Sequence, residues 1–242
     1  MSSSTPSPVE GGVLTALAVA AIRAKLLNEA LPAMVPESEI LRAPGASFVT
    51  LERRGQLRGC IGTVEPVRPL YLDVVRNARY AMVDPRLPPV TREDWPELDV
   101  KVSVLTPLEP LSVTGRDELI AALRPGVDGL LLTDGFRRAT FLPAVWSRLP
   151  DPARFVSALL AKGGWPPNGF PENLQVRRYT AVEFHDPAPR AGLAYTLDGA
   201  LSQSALPSRG ALPSRAAEPA PSSDSASPGT EEAQREALRD DA

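Results

Sequence analysis

Cysteine and histidine are almost missing: Cys60 and His185 are the only ones in 242 residues. One cysteine excludes a disulfide within the chain and suits a reducing compartment. One of each also excludes a Cys/His zinc site built by a single chain. A carboxylate metal site stays open, and no cofactor is expected. Long apolar runs are missing too. The run "VLTALAVAAI" (Val13–Ile22) is too short to span a bilayer. No basic segment precedes it, which argues against a secretory signal. The chain is therefore expected to be soluble and cytoplasmic, with no membrane partner. No G-x-G-x-x-G or Walker pattern occurs, which removes the simplest nucleotide-binding readings.

Charge of one sign is also missing from most of the chain. Residues 1–185 carry 21 basic and 20 acidic side chains, whereas residues 186–242 carry 5 and 9. A near-neutral folded part has no global footprint for nucleic acid, though a local basic patch stays open. The C-terminal stretch is rich in Ala, Pro and Ser and poor in large apolar residues. It contains the short repeat "ALPSRG"/"ALPSRA" (Ala205–Ala216). Such a segment buries too little apolar surface to offset its ordering entropy. Residues 186–242 are expected to be disordered, and so are residues 1–9. That leaves a domain over 10–185, enough for one compact domain or two closely joined subdomains.

What is present reads as mixed helix and strand. The spacing of Leu14, Leu17, Ala18 and Ala21 predicts a helix from Glu10 to Leu31, stopped by Pro32. "ASFVTLERRGQLRGCIGTV" predicts a hairpin turning at Arg53-Arg54-Gly55. A helix is predicted over Leu70–Val83, with Tyr71, Val74, Val75, Ala78, Ala81 and Met82 on one face. "TREDW" predicts a capped turn, and "LDVKVSVL" a strand with one buried face. "GRDELIAAL" predicts a short helix, and "GVDGLLLTDGFRRATFL" a hairpin turning at Asp134-Gly135. "DPARFVSALLAKGG" predicts a helix capped by Asp151 and ended by Gly163-Gly164. "LQVRRYTAVEF" predicts one closing strand. Without a βαβ rhythm, the pattern points to an α+β fold, a largely antiparallel sheet with flanking helices.

Three constellations carry chemistry. In "LRGCIG", Gly59 and Gly62 bracket Cys60, and a glycine within a strand marks close approach to the backbone. Arg58, two residues before Cys60, is expected on the same face, where a guanidinium favours the thiolate. Cys60 is then either a candidate catalytic nucleophile or a structural, ligand-lining residue. Free cysteine commonly fills space, and the usual Cys–His pair would require His185. In "DPRLPPV", the prolines fix Asp84 and Arg86 to orient a polar ligand or to pair with each other. In "FLPAVW", Phe141, Leu142, Val145 and Trp146 read mostly as core, and Asp128 reads as turn chemistry.

These blocks occur in one order: "FVTLERRGQLRGCIGTVEP", "DPRLPPV", "VKVSVLTPLEPL", "LRPGVDGLLL", "RRATFLPAVW" and "LLAKGGWPP". Together the sequence resembles the AMMECR family, known in bacteria and archaea as AmmeMemoRadiSam system protein A. The resemblance covers roughly Val13 to Phe184, with "LRGCIG" as the family signature. It implies two unequal subdomains around a cleft, with the signature near that cleft. It also implies Memo-like and radical SAM proteins as partners in a modification pathway. The chain departs from the family at Leu87 (usually Phe), Ala144 (usually Gln) and Lys162-Gly163-Gly164 (usually Lys-Ala-Gly).

The expected function is thus a cleft-binding component of that pathway. Arg58, Gly59, Cys60, Gly62, Asp84 and Arg86 would contact a small molecule or nucleotide. The alternatives are a stand-alone cysteine-dependent enzyme using Cys60, and an RNA-binding adaptor.

Overall fold

The computed structural model describes residues 5–31 and 34–193. In chain order its elements are α1 (Pro8–Leu27), α2 (Glu39–Arg42), β1 (Pro44–Arg53), β2 (Gln56–Gly62), β3 (Arg68–Pro69), α3 (Leu70–Ala81), β4 (Leu98–Leu105), β5 (Glu109–Pro110), α4 (Arg116–Ala122), β6 (Gly129–Thr133), β7 (Arg138–Phe141), α5 (Pro152–Lys162), β8 (Gln175–Tyr179) and β9 (Ala181–Asp186). The fold is α+β, as expected from sequence. Among the described residues it divides into two compact units. The first runs to Leu105 and resumes at Val182; the second is Thr106–Ala181.

The first unit contains a five-stranded sheet of order β2-β1-β4-β9, with β3 on β1. The β1–β2, β1–β3 and β1–β4 pairings are antiparallel. Val49, Leu51, Val100 and Val102 share one core with Leu14, Ala18 and Ile22 of α1 and Val74 and Ala78 of α3. Each of the Val, Leu and Ile side chains contributes about 1.5–3 kcal/mol by leaving water. The turn between β1 and β2 is Arg54-Gly55, both at positive φ (53° and 76°). That is the tight turn whose twist suits a two-residue hairpin.

The second unit contains an antiparallel sheet of order β5-β8-β6-β7. Leu130 and Leu132 of its central strand pack with Leu119 of α4 and Phe155 and Leu159 of α5. Trp146 stacks on Phe155 with centroids 3.9 Å apart, and its indole N–H donates to the Asp128 carbonyl. Phe141 meets Phe155 edge-on. Phe141, Val145 and Trp146 of the "FLPAVW" block therefore belong to this core, whereas Ala144 is exposed. Asp128 is fully buried and bonded to Arg124, so it closes its turn from the inside.

The short elements α2, β3 and β5 were not expected from sequence, and several longer ones differ in their bounds. α1 starts at Pro8, because Ser7 and Glu10 form a reciprocal capping box. It ends at Leu27, because Asn28 takes the left-handed conformation (φ 57°) and its N–H caps the last turn. Pro32, expected to stop the helix, lies outside the described residues, as do residues 1–4. The closing strand is two strands. β8 pairs in the second sheet and β9 in the first. The break falls at Thr180, whose N–H donates to Thr106 Oγ1 (2.8 Å) while its carbonyl accepts the Thr106 N–H.

Packing also continues past His185, where the tail was expected to begin. Arg190 donates to the Leu98 carbonyl and pairs with Asp186, and Trp95 Nε1–H donates to the Ala191 carbonyl. The rest of the expected tail, 194–242, lies outside the described residues. Finally, α3 ends at Ala81, and its buried stripe also takes in Asp73 and Asn77, while Tyr71 and Val75 pack half-buried against the same core.

Candidate functional site

β2 is an edge strand, and its two glycines answer to packing. A Cβ on Gly59 would come closer than 3.0 Å to the Ala81 carbonyl at the end of α3. A Cβ on Gly62 would come equally close to the Phe48 ring. The close approach that a strand glycine signals is therefore made by the protein's own backbone and ring.

Cys60 stands between them, opposite Thr50 of β1. The Thr50 hydroxyl donates to Cys60 Sγ at 3.3 Å. The outward-facing backbone of Cys60 is clamped by the loop after α3. Asp84 Oδ2 accepts the Cys60 N–H at 3.0 Å, and Arg86 Nη2–H donates to the Cys60 carbonyl at 2.9 Å. The two clamping side chains bind each other in parallel, at 2.9 and 2.7 Å. A side-chain pair here takes the place of the neighbouring strand that an edge lacks.

Burial of Asp84 works to raise its pKa. The bonds from the Arg86 side chain, the Cys60 N–H and the Arg86 N–H outweigh that and hold the carboxyl below its ordinary value. Arg86 is raised, first by its bond to Asp84 and in smaller part by the charge at Cys60. Arg86 is thus a guanidinium held on the backbone of Cys60.

Arg58 is engaged differently. The register slips between Leu51 and Glu52, so Leu51 faces Gly59 and Glu52 faces Leu57. Arg58 is left as the extra residue of a bulge. Its guanidinium bonds Asp94 at 3.2 and 2.9 Å and reaches the Pro89 carbonyl. Asp94 is buried and also accepts from Arg53 and from the Thr91 N–H. Burial opposes these bonds, but they win and lower the Asp94 pKa. Simple alternation predicted Arg58 beside the thiol; the bulge breaks that alternation, and Asp94 takes the side chain.

The six sequence-derived residues thus fall into two groups. Cys60, Asp84 and Arg86 form one bonded assembly, and Gly59 and Gly62 flank it on β2, packed on Ala81 and Phe48. Arg58 belongs to an ion-pair network that ties the β1–β2 hairpin to the Thr91–Glu97 turn. His185 lies on β9, paired with Asp99 at 3.3 Å. Three strand spacings separate β9 from β2, about 14 Å.

Sequence reasoning missed Thr50, Asp94 and a buried network below β1. Asp73 is fully buried. It accepts from the Ser47 N–H and hydroxyl, the Thr63 hydroxyl, Asn77 Nδ2–H and Arg68. The available signal was Asp73 and Asn77 at i, i+4 in a helix otherwise read as apolar on that side. Among the described residues, no three His, Cys, Asp or Glu side chains come together as a metal site. No helix of the described residues is long and apolar enough to cross a membrane.

The AMMECR1 family model matches residues 15–184. A protein of Methanothermobacter thermautotrophicus is 41% identical over 184 residues, 73% of this chain and 94% of the relative. Protein MJ0810 of Methanocaldococcus jannaschii is 36% identical over 143 residues, 56% of this chain and 69% of the relative. The crystal structure of the uncharacterised protein PH0010 from Pyrococcus horikoshii superposes with a TM-score of 0.66 at 33% identity, covering 74% of this chain and 92% of that one.

Proposed function

The chain belongs to the AMMECR1 family, and from that premise we propose that it is a cytoplasmic binding component of a modification pathway. It acts with Memo-like and radical SAM proteins and holds a polar small molecule or nucleotide at the strand carrying Cys60. The observation that carries this reading is the clamp. Asp84 and Arg86 fix the backbone of Cys60 on both sides, and no histidine base lies near the thiol. A positioned strand without a histidine base suits presentation of a ligand or partner better than independent turnover.

The test is co-purification of the native protein, with mass spectrometry of associated proteins and small molecules. Recovery of Memo-like and radical SAM proteins, reduced when Arg86→Ala breaks the clamp, is the expected result. Their absence from wild-type preparations overturns the pathway reading.

A second reading, a cysteine-dependent enzyme, has its own support in the Thr50 hydroxyl on Sγ and the charge of Arg86. Both favour a thiolate. Alkylation of Cys60 across pH separates the two readings. A rate midpoint near the ~8.5 of free cysteine goes against the enzyme, and a midpoint well below it goes against the passive role.

A further inference from the structure

The second unit places one large apolar side chain wholly in water. Phe136, at the apex of the β6–β7 turn, is 97% exposed. The apex that carries it is rigid. Asp134 Oδ1 accepts the N–H groups of Phe136 and Arg137 at 3.0 and 2.7 Å, and Thr133 Oγ1 accepts that of Gly135. Asp134 Oδ2 accepts the indole N–H of the buried Trp165 at 2.8 Å. Asn173 donates to the Asp134 carbonyl at 3.2 Å. Arg137 donates to the Gly164 carbonyl just past α5, and its guanidinium lies 5.7 Å from the Trp165 ring centroid. The turn is therefore fastened to the core of its unit on both sides of the phenylalanine.

Such rigidity needs a reason, because a loose polar turn would join β6 and β7 equally well. We infer that Phe136 is a preformed anchor for a protein partner that offers an apolar pocket with carboxylates at its rim. Three features argue for that occupant. An aromatic ring held in place before binding loses little entropy when it enters a pocket. Buried aromatic and arginine side chains dominate binding energy at protein interfaces. The charge the apex turns to water is that of guanidinium groups: Arg137, paired with Asp134 at 3.3 Å, is half exposed and Arg138 is exposed, whereas the Asp134 side chain is 6% exposed.

Other surfaces fit less well. Single-stranded nucleic acid needs a groove that tracks its backbone beside the stacking ring, and an apex supplies none. One phenyl is far too little apolar surface for a stable membrane anchor. The surface lies in the second unit and is independent of the Cys60 strand.

The experiment is Phe136→p-benzoylphenylalanine photo-crosslinking in the source organism, with Val127→p-benzoylphenylalanine as an exposed control. The crosslinked partner is then purified and titrated with wild type, Phe136→Ala, Phe136→Leu and Arg138→Gln. Equal melting temperatures confirm that these surface variants fold. The expected result is one dominant protein adduct from position 136 and none from 127. It should map to an apolar pocket within reach of Asp or Glu. Phe136→Ala should weaken binding about tenfold or more. Phe136→Leu should keep most of it, and Arg138→Gln should cost about threefold at low salt and nothing at high salt.

The inference is overturned by no adduct, by adducts only to RNA or lipid, by a pocket without carboxylates, or by Phe136→Ala binding like wild type. A partner outside the Memo-like and radical SAM classes supports the anchor and counts against the pathway. Loss of the anchor while those proteins still co-purify leaves the pathway standing.

Discussion

The two units bury different things. Among the described residues, the buried polar and charged ones include Thr15, Ser47, Asp73, Asn77, Asp84, Asp94, Ser103 and Asp128, and of these only Asp128 lies in the second unit. That unit is instead built around an aromatic stack, Trp146 on Phe155 with Phe141 at its edge. Apolar cores tolerate change gradually, whereas buried polar groups demand particular partners. The first unit therefore carries a more exacting arrangement, and that arrangement surrounds β1 and β2. The second unit is a scaffold whose distinctive surface is one turn.

The comparison breaks most directly at Phe155. Phe155→Ala removes the ring that two other aromatics touch, and it should destabilise the protein by about 3–5 kcal/mol. The alkylation rate of Cys60 in the folded state should stay as in wild type. Denaturant unfolding followed by thiol kinetics checks both. A changed rate with the fold intact would mean that the scaffold also sets the cysteine's surroundings.

Gly59→Ala probes the other side at a somewhat smaller scale. The added methyl meets a backbone carbonyl of α3, which has no rotamer to yield. Overpacking of this kind costs about 1–3 kcal/mol, and here it should also change Cys60 alkylation, because the strand must move. Gly62→Ala meets the Phe48 side chain, which can turn aside, and should cost less. Equal losses at the two positions would contradict the assignment of a backbone contact to one and a ring to the other.

These contrasts also show where the sequence was readable. Alternation and capping revealed most elements, since Val100, Val102, Val104 and the Asp151-Pro152 start follow local rules. The signature block pointed to the right strand. The register did not follow from counting. From the Arg54-Gly55 turn, simple pairing sets Thr50 against Gly59. The bulge at Arg58 sets it against Cys60 instead. A bulge is a tertiary compromise between pairing and the demands of Asp94 and α3, and nothing local announces it. Asp73 and Asn77 were hidden for a related reason. A buried polar pair looks like a solvated face until its partners, here Ser47 and Thr63, are placed beside it. The strand that split at Thr180 reads as continuous because no glycine or proline interrupts "LQVRRYTAVEF".

Thr50→Val tests the corrected register with a smaller effect. It keeps the shape and removes the hydroxyl that donates to Cys60 Sγ. A hydrogen bond to sulfur favours the thiolate, so alkylation at neutral pH should slow about twofold or more. Stability should change by about 1 kcal/mol at most. An unchanged rate would mean that Thr50 does not act on the thiol.

Acid titration sharpens the comparison at its finest scale. In the first unit Asp84 sits below its ordinary pKa against the pull of burial, chiefly through Arg86. In the second unit Asp134 is lowered to about 2, first by the Arg137 N–H and then by Trp165. The sign is the same for both. A carboxyl with a lowered folded pKa stabilises the protein above its unfolded value of ~3.9, and that stability is lost as pH falls through the folded pKa. Stability should therefore hold from neutral pH down to about 5 and fall below about 4. Asp84→Asn should start lower at neutral pH and show a shallower acid loss. Carboxyl NMR then separates the units by salt. Asp134 is held mainly by oriented N–H groups, so its midpoint should stay at about 2 in strong salt. A midpoint that climbs toward ~3.9 on adding salt would make the Arg137 ion pair, and not the turn, the force that holds Asp134 and the apex carrying Phe136.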